Sequence, residues 1–319
     1  MSATNIPLSN QFALAKFEQA EQLVSEVHPE YQYLYLIQKI LSQGFFEEGR
    51  NGTTVSIFGN QMRFSLQDNT IPILTTKKTA WKTCLKELLW FIRGETDNKI
   101  LKKQGVHIWD ANGSREFLDS RGLHGYDVDQ LGPIYGAQWR GFNADYPAEP
   151  ENSASYRGID QLQQIIDTLK DPKQRTSRRM IMTAWNPCQI DQMALPPCHI
   201  LCQFNVHDGN RLSCSLYQRS GDVGLGVPFN IVSYSFLTHL IAHHCGLIAH
   251  EFVYYLGNAH IYENHIEALK EQLTRSPFDF PKLRFKDGQV REDINDYTVD
   301  DFIVEGYQSR EAIVMEMSA

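Results

Sequence analysis

The chain reads as one large α/β domain of the α+β kind. At 319 residues and 42% hydrophobic content it can bury a sizeable core. Apolar stretches of helical period alternate with short runs rich in β-branched and aromatic residues, so helices and strands share that core. No internal repeat, low-complexity tract or linker divides the sequence, which favours one domain over two.

Taken in order, residues 1 to about 28 are polar without a sustained period and read as a loosely ordered extension. Tyr31–Leu41 carries Tyr, Leu and Ile at helical spacing, with Gly44 as its stop. Glu47–Thr54 reads as a polar loop before a strand Val55–Phe58; Arg50 in that loop either closes over an anion or is solvated. Ala80–Arg93 is a helix with Glu87 among Leu85, Leu88, Leu89 and Trp90; its carboxylate is either costly to bury or turned to water. Positions 106–129 form a long connection with one short helix, of the sort that lines sites. Tyr135 stands between two glycines, Gly132 and Gly136, its hydroxyl facing either a cleft or the core. Positions 141–158 read as a surface insertion, after which Asp160 caps a helix Gln161–Leu169. A strand follows at 178–185, opened by Arg178 and Arg179. Gly224–Asn230 punctuates the chain before a helix Ile231–Cys245; Gly246 is its stop and Asn230 sits where an N-cap is favoured. A strand Glu251–Leu256 precedes Gly257–His265, read as the start of a helix ending near Leu273; His260 and Tyr262 there are site candidates, while His265 has no special claim. Late strands are expected at Pro281–Phe285 and Asp301–Tyr307.

Charge and cysteines bound the chemistry. The formal net charge of −8 argues against a general nucleic-acid surface, yet Arg50, Arg178, Arg179 and Arg219 stand in motif-like segments, which suggests local capture of a small anion. Cysteines at 84, 188, 198, 202, 214 and 245 form neither a disulfide framework nor a closely spaced metal quartet, so no metal is expected and a reducing intracellular compartment fits. Neither a membrane-spanning stretch nor a signal peptide is legible.

The stretch Met193–Phe204 organises the rest. Pro196 and Pro197 stiffen the approach and deliver an exposed-looking Cys198, the candidate nucleophile, just before the β-rich run His199–Phe204. The turn residues Asp208-Gly209-Asn210 and the run Leu212–Tyr217 complete a hairpin that brings Arg219 back toward the thiol, where a cation favours the thiolate. Cys198 and His199, adjacent on one strand, point to opposite faces and make a poor hydrolase pair.

Together the motifs Arg178-Arg179, Ala184-Trp-Asn186, Pro197-Cys-His199, Gln218-Arg-Ser-Gly-Asp222, Gly226-Val-Pro-Phe-Asn230 and His260-Ile-Tyr262 resemble the thymidylate synthase family over about residues 30–319. Met315–Ala319 is similar to the family's closing tail, and insertions near 115–128 and 143–157 resemble its eukaryotic-type members. The resemblance implies a mixed, twisted sheet flanked by helices, a homodimer pairing through its sheets, and a cytoplasmic enzyme, with the nucleus as an alternative. It implies reductive methylation of dUMP at carbon 5, with 5,10-methylenetetrahydrofolate as co-substrate donating carbon and hydride. Cys198 would add to carbon 6 of the ring. Arg219, Arg50 and Ser220, with Arg178 and Arg179 acting in trans, would cage the phosphate. Asn230 would read the pyrimidine edge. His260 and Tyr262 would meet the ribose. Glu87, His199, Tyr135 and Asp222 fall on the polar network, with Glu87 organising proton transfer through water and Asp222 serving substrate and folate. Ile108, Trp109, Asn112, Leu225, Gly226, Phe229 and Met317 would contact folate, with Ala319 closing the tail.

Two departures stand out. The loop at Arg50-Asn-Gly-Thr-Thr-Val55 is one residue shorter than the family's, with an apparent compensating residue near Asn69-Thr70, and Asn258 stands where an Asp is usual. A pyrimidine nucleotide hydroxymethylase and a catalytically silent nucleotide-binding dimer are the alternatives.

Overall fold

The structure, a computed structural model, describes residues 27–49, 52–146 and 157–317. The expectations above for residues 1–26, Arg50, positions 147–156 and Ala319 lie outside the described residues.

Six strands form one sheet in the order β1-β2-β6-β5-β4-β3, with β1 Phe45–Gly49, β2 Gly52–Ser65, β3 Ile181–Thr183, β4 His199–His207, β5 Arg211–Asp222 and β6 Ile248–Tyr262. All neighbours are antiparallel except β5 and β6, so the sheet is mixed. A parallel pair needs a long crossover, and here it is a 19-residue helix, Gly226–His244. That helix is apolar around nearly its whole circumference, which suits a central position rather than a surface one. Two of its buried hydroxyls are satisfied within the helix, Ser235 donating to the Ile231 carbonyl and Thr238 to that of Tyr234, both at 2.7 Å. Gly246, at φ +66°, supplies the left-handed residue that ends it.

The remaining helices pack around this central helix and the sheet. Helix α1, Tyr31–Gln43, buries Tyr33, Leu36, Ile37 and Ile40 against β2 and β6. Helix α2, Trp81–Ile92, packs on the central helix, with Trp81 against Phe236, and buries Leu85, Leu88 and Ile92. The short helices Asn98–Lys103 (α3) and Tyr135–Arg140 (α5) flank the long connection, which holds one short helix, Arg115–Ser120 (α4). Helix α6, Gln161–Lys170, is capped by the Asp160 side chain, which accepts from Gln163 N–H at 2.9 Å. The central helix is α7 in chain order, and Ile266–Leu273 is α8. Strands β7, Lys282–Phe285, and β8, Phe302–Glu305, pair as a separate ribbon.

Several expectations are corrected. Glu47 and Glu48 lie in a strand, not a loop: β1 is an exposed edge strand whose polar composition hides its pairing with β2. The strand expected at 178–185 is limited to Ile181–Thr183. Asn230 is not an N-cap, because α7 begins at Gly226 and encloses it in its second turn. Residues 257–262 continue β6 rather than opening a helix, held by pairing to β2 on one side and β5 on the other.

The outward face of the sheet exposes Ile181, Leu201, Tyr217, Ile248 and Tyr255.

Candidate active site

Cys198 sits at the mouth of β4, held from three directions. Its N–H donates to the Tyr135 hydroxyl at 2.8 Å, its carbonyl accepts from Arg219 N–H at 2.9 Å, and the Arg219 guanidinium donates to the carbonyls of Pro197 and Pro196 at 2.8 and 3.0 Å. The same guanidinium lies 3.9 Å from the sulfur and over the Trp185 ring. The hairpin therefore returns Arg219 to the thiol as expected. Two expectations about the thiol change: Cys198 is half-buried rather than exposed, and burial pushes its pKa up, with Arg219 pulling against it and not prevailing.

Behind the sulfur the network is aromatic and neutral. Tyr135 stacks on His199 with ring centroids 4.0 Å apart, and His199 Nδ1 pairs with the Tyr234 hydroxyl at 2.8 Å. Burial drives His199 down to about 3, so it is uncharged near neutrality and serves as packing and hydrogen-bond support rather than as a base. Tyr135 is buried, which resolves its orientation: the ring packs in the core and the hydroxyl reaches the Cys198 backbone.

Glu87 projects from α2 toward this network and accepts from Trp109 Nε1 at 2.7 Å. Its pKa is raised to about 7, burial outweighing that hydrogen bond. A carboxyl group tuned to that value exchanges a proton readily at neutral pH.

The strand ends supply the opposite wall. On β5, Asp222 accepts from Gly224 N–H at 2.8 Å and Leu225 N–H at 3.3 Å, shaping the turn into α7. Ser220 and Asp222 pair with Asn258 and His260 of β6, so with Tyr262 they share one face of the sheet. Asn230 lies beside Gly226 on the first turns of α7. Leu225, Phe229 and Ile108 are only partly covered, whereas Trp109 and Asn112 are buried in the wall.

The C-terminal tail folds back over this turn. His265, fully buried, meets the Glu316 carbonyl through Nε2 at 2.6 Å and faces Asp222 through Nδ1 at 3.9 Å. A Cβ at Gly224 would stand 2.9 Å from His265 Nδ1 and 3.2 Å from Met315 Sδ, so a side chain there would push on the residues that seat the tail. Met317 is exposed.

Three contributors escaped the sequence reading. His265 anchors the tail. Lys77 is buried, donates to the Gly224 carbonyl, and has its pKa lowered to about 8 by burial against the pull of Asp222. Glu30, buried, accepts from the N–H and hydroxyl of both Thr75 and Thr76 and so fixes the segment that carries Lys77. The run Thr75-Thr-Lys-Lys78 is polar and gave no sign of burial.

Arg178 and Arg179 are not brought to Cys198. Both are exposed, and Arg178 lines a groove on the outward sheet face with Arg63, Gln203, Ser215, Val253 and Tyr255. Among the described residues no group of acidic, His and Cys side chains is placed to hold a metal ion, and no helix is long and apolar enough to cross a membrane.

The thymidylate synthase family model matches residues 31–319. A human thymidylate synthase is 54% identical over 292 residues, covering 91% of each chain. One from equine herpesvirus 2 is 51% identical over 294 residues, covering 91% of this chain and 99% of the viral one. A bifunctional dihydrofolate reductase-thymidylate synthase of Leishmania major is 52% identical over 293 residues, which span 91% of this chain and 55% of that longer protein.

Proposed function

This chain belongs to the thymidylate synthase family, and we propose a role for each part of the cleft in that family's reaction. The enzyme is a methyltransferase that makes dTMP from dUMP with methylenetetrahydrofolate as co-substrate. The observation that carries the assignment of parts is the single sulfur, Cys198, held at the cleft mouth by Tyr135 and Arg219 with a carboxyl tuned to about 7 nearby.

Cys198 Sγ adds to carbon 6 of the uracil ring, which makes carbon 5 nucleophilic. Arg219 has two tasks: its backbone-directed donors hold the Pro196-Pro197-Cys198 turn, and its charge favours both the thiolate and the substrate phosphate. Ser220 and Arg50 add donors to the phosphate. Asn230 offers an amide that donates and accepts at the pyrimidine edge. Glu87 shuttles protons at the ring through water. The folate supplies the one-carbon unit and the hydride. Ile108, Trp109, Asn112, Leu225, Gly226 and Phe229 form a wall suited to a flat aromatic ligand, partly apolar and open on the cleft side. Asp222 orients the turn next to that wall, and Met317 and Ala319 belong to the tail that closes over it.

The functional unit is a homodimer joined through the outward sheet face. Support comes from the exposed Ile181, Leu201, Tyr217 and Tyr255 on that face and from the position of Arg178 among them. Arg178 and Arg179 of the partner subunit then complete the phosphate cage. The six unpaired cysteines favour a reducing compartment, cytoplasmic or nuclear.

The test is an absorbance assay of dihydrofolate formation from dUMP and methylenetetrahydrofolate, with the nucleotide product weighed by mass spectrometry. A methylated product, lost in Cys198→Ser while dUMP still binds, is expected. A hydroxymethylated product, or full activity of Cys198→Ser, would overturn the assignment.

A further inference from the structure

The second half of β6 holds a histidine whose proton placement follows from its neighbours. His260 Nδ1 lies 3.0 Å from Asn258 Oδ1, two residues back on the same strand face. An amide oxygen accepts and never donates, so the hydrogen between them belongs to Nδ1. The other end of the amide, Asn258 Nδ2, is directed at the Ser56 hydroxyl at 3.5 Å on β2, and Ser56 is the cross-strand neighbour of His260. Both ends of the amide thus have partners in this orientation. In a neutral imidazole with its hydrogen on Nδ1, Nε2 keeps a bare lone pair.

We propose that Asn258 is a positioning residue that locks His260 in the Nδ1–H tautomer, so that Nε2 meets the nucleotide sugar as an acceptor and the 3′-hydroxyl must donate to it. The proposal rests on the reading of His260 as a ribose contact, and it adds a direction to that hydrogen bond. The direction has consequences for selectivity. A sugar carrying fluorine at carbon 3′ offers no donor and faces the lone pair with another electron-rich atom.

The surroundings keep the ring neutral. Burial lowers the His260 pKa, and Asp222, its neighbour on β5, pulls the other way. Tyr262 is the next side chain on the same face, its ring 5.4 Å away, and His265 and Lys77 stand behind Asp222. From β2 the side chains paired with this segment, Thr54, Ser56 and Phe58, carry no charge. Asn258 adds none either. A carboxylate in its place would keep the contact to Nδ1 while favouring the doubly protonated ring, which turns Nε2 from acceptor into donor.

The experiment begins with the unaltered full chain labelled with ¹⁵N at histidine. Two-bond ¹⁵N–¹H correlation spectra, with His260 identified by the signals missing in His260→Gln, should show the unprotonated, pyridine-type nitrogen at Nε2. A pyridine-type Nδ1 would overturn the proposal outright. In Asn258→Asp the His260 midpoint should move up in pH. Competition binding then compares dUMP with its 3′-deoxy-3′-fluoro analogue. The native protein should prefer dUMP by about tenfold, the scale of leaving one such group unmatched, and Asn258→Asp should shrink that preference to about threefold or less below its new midpoint. Equal preference in both proteins across pH would also contradict the proposal. Because the tautomer is read without substrate, a protein that shows Nδ1–H but does not turn over dUMP would fault the functional reading and leave this one standing.

Discussion

Glu87→Gln should lower turnover by about 10²- to 10⁴-fold, because the amide keeps the Trp109 contact but cannot exchange a proton. The native pH–rate profile should bend near 7, where Glu87 titrates, and that bend should be absent in the variant. An unchanged profile would assign the titration to another group. The sequence located Glu87 on an apolar helix side but left its direction open, since helix geometry alone does not say which neighbours cover a carboxylate. His265 and Lys77 were invisible for a related reason: each is buried by segments distant in sequence, the tail for one and the Gly224 turn for the other. The strongly patterned residues were legible. Cys198 and Arg219 meet because a two-strand hairpin with an Asp-Gly turn sets its own register.

At the scale of elements, the tail and β6 carry the clearest consequences. His265→Phe keeps the buried volume but removes the donor that ties down the Glu316 carbonyl. Turnover should fall by about tenfold, the scale of one lost hydrogen bond, while the dUMP dissociation constant moves less than about twofold. Stopped-flow and equilibrium binding would separate the two; an equal change in both would mean that the tail supports nucleotide binding rather than closure. The helices α1, α2 and α6 were readable from period and caps. The far half of β6 was not, since Gly257–His265 in isolation reads as the opening of the helix that follows. Pairing on both edges, to β2 and β5, overrides that local preference and is what puts Asn258, His260 and Tyr262 on one face.

For the whole molecule, acid should destabilise the fold. His199, His239 and His244 have pKa values lowered to about 3, 4 and 4 by burial, against an ordinary value of 6.5. Their contribution is fully present above 6.5 and is lost as pH falls toward those values, because the unfolded chain binds protons that the native chain refuses. Glu87, raised to about 7, acts in the opposite sense, stabilising below 4.5 and losing that contribution as pH rises through 7. The three histidines outnumber it, so the urea midpoint should be lower at pH 5 than at pH 7; a higher midpoint at pH 5 would contradict their neutral burial. The central claim concerns assembly: a site built around Cys198 on one chain and completed by arginines from another. Cys198→Ser lacks the nucleophile, and Arg179→Glu places a repelling charge in the proposed phosphate cage. In a mixed dimer one site collects both defects, while the other keeps its own Cys198 and receives an intact Arg179. Random pairing of equal amounts makes about half the dimers mixed, so about a quarter of all sites should work. The two inactive variants are unfolded together, refolded, and assayed for dihydrofolate formation. Recovery of about a quarter of native activity is predicted. A mixture as inactive as its parents, with mixed dimers present by native mass spectrometry, would contradict a site shared across the interface.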